Sequence, residues 1–333
     1  MNGIVVVIGI ILLVLIVIAV LAVISVYFYN LAIKRGSKDF LSSSGDLVQN
    51  DGGGEAESAI DLGLQEEDVP AALELDGVQW VDSRNPQIWH ITTRDGLKLQ
   101  GYYLPTKSPT ANTVILAHGY SSKGKDLGLI ARFYYEQFGY NVLMPDDRGH
   151  GESEGNYIGF GWVDRNDYLQ WIRKAVDTVG EEARIVLHGI SMGGATVMMV
   201  SGEPLPKQVK AIIEDCGYTS VRDQLAYQLK RLYKLPAFPI LQATSLLTKL
   251  KAGYSFAEAS ALRQLARNKL PMLFIHGSDD TFVPTEMVYR LYDACHTEKE
   301  LYVAEGAGHG LAYSTNKAVY ERKVHDFISK YMS

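Results

Sequence analysis

The stretch "RIVLHGISMGGATVMM", Arg184 to Met199, runs from an apolar segment through glycines around a serine and back into an apolar segment. Within it, Gly189-Ile190-Ser191-Met192-Gly193 fits the pattern G-x-S-x-G. The lead-in has β character and the continuation opens a helix, the context a nucleophile elbow requires. Such a turn strains the backbone at the serine, and side chains at Gly189 and Gly193 would collide with the adjacent strand and helix. The helix N-terminus adds a partial positive charge and free N–H groups beside the hydroxyl. A plain strand-to-helix turn that happens to hold a serine is the alternative. The motif alone does not separate the two.

Outward from the motif, strands and helices alternate. "QIWHITTRD" and "LKLQGYYLP" flank Asp95-Gly96 and alternate in period two, the mark of an antiparallel hairpin. "TVILAHG" is a continuous apolar run, as expected of a strand covered on both faces. "YNVLMPD", "RIVLHGI", "VKAIIED", "PMLFIHG" and "ELYVAEG" follow as further strands. Helical segments lie around Tyr168 to Val179, after Ser191, around Glu286 to Cys295, and from Lys317 to Met332. The pattern predicts an α/β chain with a mostly parallel, eight-stranded sheet and helices on both faces. Chemistry in such sheets gathers at the carboxyl ends of the strands. The segment Tyr218 to Leu265 breaks the rhythm: it is helical in character and too long for a simple crossover, so it reads as a cap over the strand ends.

A serine alcohol needs a base, and the base needs an orienting acid. Of the eight histidines, His118, His188 and His276 each end an apolar strand just before a glycine and read as packing or loop-shaping residues. His90 lies in the hairpin, His296 at a helix end and His325 on the last amphipathic helix. His150, in the polar loop "DDRGHGES", is the chief rival to His309, which follows the last strand in "EGAGHGLAY" and comes last in the order serine, acid, histidine. For the acid, "FIHGSDDTFVP" offers Asp279 and Asp280, and Asp280 is preferred because D-x-x-V-P begins there. Asp147 and Asp215 also follow strands, where a salt bridge or a cap is the plainer use. Two donors must hold a developing oxyanion. The amide of Met192 is one candidate, and that of Tyr120, after the "TVILAHG" strand, is the other.

The chain has 333 residues and a formal net charge of −6, and it shows no basic stripe with interleaved aromatics, so a nucleic-acid partner is not expected. Cys216 and Cys295 form neither a paired framework nor a zinc spacing, and no metal or cofactor is called for. Ile4 to Tyr29 carries no charge; as a helix it would be about 39 Å long, enough to cross a bilayer. No basic side chain precedes it, and the run is too long for a cleaved signal peptide. Residues 1–33 are therefore read as an uncleaved transmembrane anchor. Residues 34–77 are Gly/Ser-rich and acidic and read as a tether, with a short helix fitting near Glu66 to Leu75. Residues 78–333 form the main domain, with the cap at about 218–265. Lys34, Arg35 and Lys38 follow the span, so the positive-inside rule puts that domain in the cytoplasm of a single-pass membrane protein, with the extracellular face as alternative.

With "AHGY", "DDRGHGES", "HGISMGG", "HGSDDTFVP" and "GAGHG" in this order from Val78 to the C-terminus, the chain resembles the α/β-hydrolase superfamily. More narrowly, "DCGYTSVRDQLAYQL" and "LPAFP" in the cap are similar to membrane-attached bacterial serine hydrolases related to serine aminopeptidases and dienelactone hydrolases. The resemblance implies Ser191 as nucleophile, Asp280 as acid, His309 as base, and Tyr120 and Met192 as the oxyanion hole. Members with an aspartate nucleophile are excluded by Ser191. The expected activity is hydrolysis of a small-molecule or lipid-like ester through an acyl-enzyme. A peptidase of aminopeptidase type is the alternative, and a catalytically silent, membrane-tethered binding module is the alternative from another class. Natural substrate, acyl length and oligomeric state are not legible.

Overall fold

The computed structural model describes residues 2–36, 38 and 71–332. It begins with α1 (Asn2–Phe28); α2 (Ala71–Ser83) leads into β1 (Gln87–Thr92), β2 (Lys98–Leu104) and β3 (Asn112–Ala117). Then come α3 (Gly128–Gln137), β4 (Asn141–Pro145), α4 (Asp164–Val179), β5 (Arg184–Ile190), α5 (Met192–Ser201) and β6 (Val209–Asp215). The helices α6 (Val221–Tyr233), α7 (Ile240–Ala252) and α8 (Ala261–Leu265) precede β7 (Met272–Gly277). The chain closes with α9 (Glu286–Ala294), β8 (Lys299–Ala304), α10 (Ala312–Thr315) and α11 (Lys317–Ile328).

The strands form one sheet in the order β1-β2-β4-β3-β5-β6-β7-β8. The β1–β2 and β2–β4 pairs are antiparallel, and the remaining neighbours run parallel. The apolar runs are continuous because both faces are covered. Side chains alternate across a strand, so Val114 and Leu116 of β3 join one core while Ile115 and Ala117 join the other. On the first face these meet Tyr134 of α3 and Val324 of α11; on the second they meet Trp171 of α4 and Val197 of α5. This is the α/β-hydrolase architecture expected from the sequence, with α6–α8 inserted between β6 and β7 as the cap.

The parallel central strands bring their carboxyl ends to one edge, and the loops there are packed with buried polar groups. Glu214 is fully buried; its Oε2 accepts from the Gly217 amide at 3.0 Å and its Oε1 has no partner among the described residues. Burial pushes its pKa from its ordinary 4.5 to about 8, against the opposing pull of His276. The folded protein therefore holds a proton here that the unfolded chain releases. Stability should fall as pH rises between those two values, by at most about 1.4 kcal/mol per pH unit. Glu214→Gln is expected to flatten the decline in Tm between pH 5 and pH 8; an unchanged slope would show that Glu214 carries no such proton.

The N-terminal helix differs from everything else. Its window of highest hydropathy averages 3.8 and is wholly unburied within the protein, so Gly3–Ile33 is long and apolar enough to cross a membrane. After Phe28 the helix widens into one π-type turn, Tyr29–Ile33, closed by the Lys34 amide donating to the Tyr29 carbonyl at 2.9 Å. Tyr29 and Ile33 are buried in the main core. The helix also packs along α7. Of the expected tether, residues 37 and 39–70 lie outside the described residues. The helix read near Glu66 to Leu75 is described only as α2, from Ala71 to Ser83. It is held by buried Trp80 and Val81 and by Gly77, where an added Cβ would stand 2.9 Å from the Leu129 amide nitrogen.

Candidate active site

Ser191 sits between β5 and α5 with φ 58° and ψ −116°, a left-handed conformation that a non-glycine residue adopts only under strain. Its amide is held by the Asp215 carbonyl at 2.8 Å. A Cβ on Gly189 would strike the Gly193 carbonyl oxygen, and one on Gly193 would strike that of Ala117. Glycine at these positions lets the strand, the turn and the helix approach closely enough to form the bend.

The Ser191 hydroxyl donates to His309 Nε2 at 2.8 Å, although the two residues are 118 positions apart. The opposite ring nitrogen, Nδ1, donates to Asp280 Oδ2 at 2.7 Å. Asp280 Oδ1 in turn accepts from the amides of Phe282 and Val283, at 2.9 and 2.8 Å. Burial would raise the pKa of this carboxyl, but His309 and His276 outweigh it and hold Asp280 below the usual carboxylate range. Asp279 is exposed and accepts from Ser278 Oγ instead. The arrangement can pass a proton from the serine to an imidazole whose charge is met by a fixed carboxylate.

His276, which the sequence reads as a packing or loop-shaping residue, also touches the acid. Its Nε2 lies 2.8 Å from the Val283 carbonyl and 3.2 Å from Asp280 Oδ2. Both partners accept, so Nε2 carries the proton and the ring is a second donor to the acid. The i,i+4 spacing of His276 and Asp280 at the end of a strand was the available signal, but it needs the turn geometry to become a contact.

His150, the rival base, is buried edge-on against His118 at 4.9 Å between ring centres, and its Nδ1 lies 3.1 Å from the Arg148 carbonyl. His118 accepts from the Asp147 amide at Nε2, 2.9 Å, which leaves Nδ1–H to donate to the Gly119 carbonyl at 2.8 Å. It thereby fixes the loop that carries Tyr120. His188 bonds to the hydroxyls of Tyr134 and Tyr320, and burial pulls its pKa down to about 3. Asp147 takes the Tyr168 hydroxyl and Asp215 that of Tyr320, so neither is the partner of His309.

The Tyr120 and Met192 amides have no hydrogen-bond partner among the described residues. A Cβ on Gly119 would stand 3.9 Å from Ser191 Oγ, so the loop that holds Tyr120 passes directly beside the hydroxyl. The Met192 amide heads α5, where the helix dipole is positive. Cys216, Asp280 and His309 have donor atoms within 4.8 Å of one another. Two of these residues are already joined by a short hydrogen bond, and burial pushes the Cys216 thiol well up, away from the thiolate a metal would need.

The prolyl oligopeptidase family (Peptidase_S9) matches residues 129–333, which include Ser191, Asp280 and His309. The chain belongs to this family. YqkD of Bacillus subtilis is 31% identical over 233 residues, covering 70% of this chain and 76% of that one. The membrane protein YNL320W of Saccharomyces cerevisiae is 25% identical over 206 residues, covering 62% and 66%. Among solved structures, the Pyrococcus furiosus esterase Pf2001 superposes with a TM-score of 0.62 at 25% identity over 76% of this chain and 94% of that one. This member of the prolyl oligopeptidase family is thus a serine hydrolase of the α/β-hydrolase fold. Its site opens into a cavity with about 840 Å³ of non-atom space, open solvent at its mouth included. The cavity walls include Phe160, Tyr218, Leu229, Leu232 and Phe282.

Proposed function

We propose that this hydrolase is a membrane-anchored enzyme that cleaves acyl esters through Ser191, with His309 as base and Asp280 as orienting acid. The observation that carries the reading is the chain of two short hydrogen bonds from Ser191 to Asp280 ending at the mouth of an apolar cavity. Ser191 Oγ attacks the acyl carbon while His309 Nε2 takes its proton. The carbonyl electrons move to oxygen, where the amides of Tyr120 and Met192 receive the charge. Collapse breaks the bond to the alcohol, which leaves with the proton from His309. Water then attacks the acyl-enzyme, again giving a proton to His309, and the acid departs as Ser191 recovers its hydrogen.

Ester cleavage is favoured over aminopeptidase action because, among the described residues, no carboxylate lines the cavity to receive a substrate's amino group, and because Pf2001 is an esterase. The family's name keeps peptide cleavage as the second reading. A panel of p-nitrophenyl esters alongside aminoacyl-p-nitroanilides decides between them. Esters should be turned over faster, and a preference for the anilides would overturn the choice.

The apolar N-terminal helix and the membrane relative YNL320W support membrane association. Lys34, Arg35 and Lys38 after the span favour a cytoplasmic catalytic domain. In intact cells, external protease should leave that domain whole; its digestion in sealed cells would reverse the orientation.

A further inference from the structure

We propose that the last turns of the membrane helix are a working wall of the substrate pocket, and that the pocket takes the acyl chain of a lipid drawn from the bilayer that holds the anchor. The inference rests on the ester-hydrolase reading above and adds the source of the substrate and a specificity element outside the catalytic fold.

Phe28, Leu31, Ala32 and Ile33 line the same cavity as Ser191 and Met192. This segment is locked in place. The Tyr120 hydroxyl donates to the Ala32 carbonyl at 2.8 Å, and the Ile158 amide donates to that of Ile33 at 2.8 Å. Arg35 donates to the carbonyls of Ser153 and Gly151 at 2.6 and 2.7 Å. Lys38 Nζ caps the helix end through the carbonyls of Leu31 and Lys34, at 2.8 and 2.7 Å. Phe28 meets Tyr233 of the cap edge-on at 5.2 Å. A segment so tied cannot swing away from the pocket without breaking this set of hydrogen bonds.

The membrane-spanning surface ends where this wall begins. Residues from Ile4 to Val17 are apolar and about half or more exposed, whereas Tyr29 and Ile33 are buried. The pocket therefore lies at the depth of the membrane surface. The cap beside it carries Phe238, Leu246 and Leu250, exposed at 72, 64 and 77%. Leu246 and Leu250 stand one turn apart on α7, the helix that packs along α1. Exposed Lys249 and Lys251 share that helix, and Lys251 Nζ lies 5.2 Å above the Tyr29 ring. Large apolar side chains with interleaved lysines, continuous with a membrane span, fit an acyl–headgroup boundary rather than water. The cavity wall that leads to Ser191 is built largely of apolar side chains, Phe28, Leu31, Leu229 and Leu232 among them, as an acyl chain requires.

The test uses the full-length protein in phospholipid vesicles and reads the ratio of kcat/KM for octanoyl over acetyl p-nitrophenyl esters. Ala32→Phe fills the wall and should lower that ratio about tenfold, as loss of one or two buried methylenes' worth of contact would. Leu31→Ala should move the optimum toward longer chains. Leu12→Phe, on the lipid-facing part of the same helix, should keep the wild-type ratio. Fluorophosphonate labelling of Ser191 in the same samples reports an intact site. Absence of labelling in the wild type would sink the serine-hydrolase reading itself, whereas labelled variants with an unchanged ratio would overturn only the wall. In a second arm, a fluorogenic long-chain ester lipid is placed either in the enzyme's own vesicles or in separate ones. Hydrolysis confined to the enzyme's own bilayer is expected, and equal rates would overturn the bilayer source.

Discussion

Ser191→Ala is expected to lower kcat on an ester substrate about a million-fold and to abolish fluorophosphonate labelling. The substitution removes only Oγ and leaves the β5–α5 bend in place, because the strain at φ 58° is carried by the surrounding glycines and by the Asp215 carbonyl. What remains is the stabilisation offered by the Tyr120 and Met192 amides, worth about a thousandfold over water. His309→Ala should lose about as much, since the serine cannot shed its proton without the Nε2 it contacts at 2.8 Å. The double variant should be no worse than either single one, as residues acting as a unit are not additive. Multiplying losses, or retained labelling of Ser191→Ala, would overturn the assignment of the nucleophile.

Asp280→Asn is expected to cost about ten-thousandfold in kcat while leaving the fold largely intact. The side chain has its two oxygens committed differently: Oδ1 accepts two backbone amides, and Oδ2 accepts from His309 and His276. Asparagine can keep its one oxygen on the amides, which turns its NH₂ toward His309 Nδ1. A donor there favours the tautomer with the proton on Nε2, facing Ser191, and the ring can no longer act as base. The sign of the pH effect on stability follows from the depressed pKa of Asp280. The native carboxylate contributes stability that is present above its ordinary value of 3.8 and lost as pH falls through the lower folded value. The Tm gap between wild type and Asp280→Asn should therefore narrow in acid. Asp280→Ala should be less stable than Asp280→Asn, because it strands the Phe282 and Val283 amides. Near-normal activity of Asp280→Asn would remove Asp280 from the mechanism.

The strands and their succession along the chain were legible because those from β3 onward are apolar runs bounded by turn residues, a local property that burial on both faces enforces, while β1 and β2 alternate around a turn signal. The loops after β5, β7 and β8 stood out for the same reason: they are where glycine, serine, aspartate and histidine interrupt those runs. The separation of Asp280 from Asp279 was harder. Adjacent residues in a turn point in different directions, and D-x-x-V-P gave only a preference. In the structure one side chain is exposed and the other lies against two histidines. The reading of His276 as a packing or loop-shaping residue did not extend to its contact with the acid, because that bond crosses a turn and is not a property of its own strand. Nothing in the composition of the N-terminal helix announced that its final residues would enter the core.

By itself the sequence determined the alternation of strands and helices, the cap's position between β6 and β7, the apolar span and the bend at Ser191. These depend on periodicity, length and backbone restrictions that act within a few residues. The tertiary structure brought Ser191 onto His309 and alone decided two further meetings, of Asp280 with His276 and of the Tyr120 hydroxyl with the Ala32 carbonyl. Most of those contacts join residues far apart along the chain, brought together by the order of strands in the sheet and the packing of α1 against the cap. Local patterns carry no record of such distances.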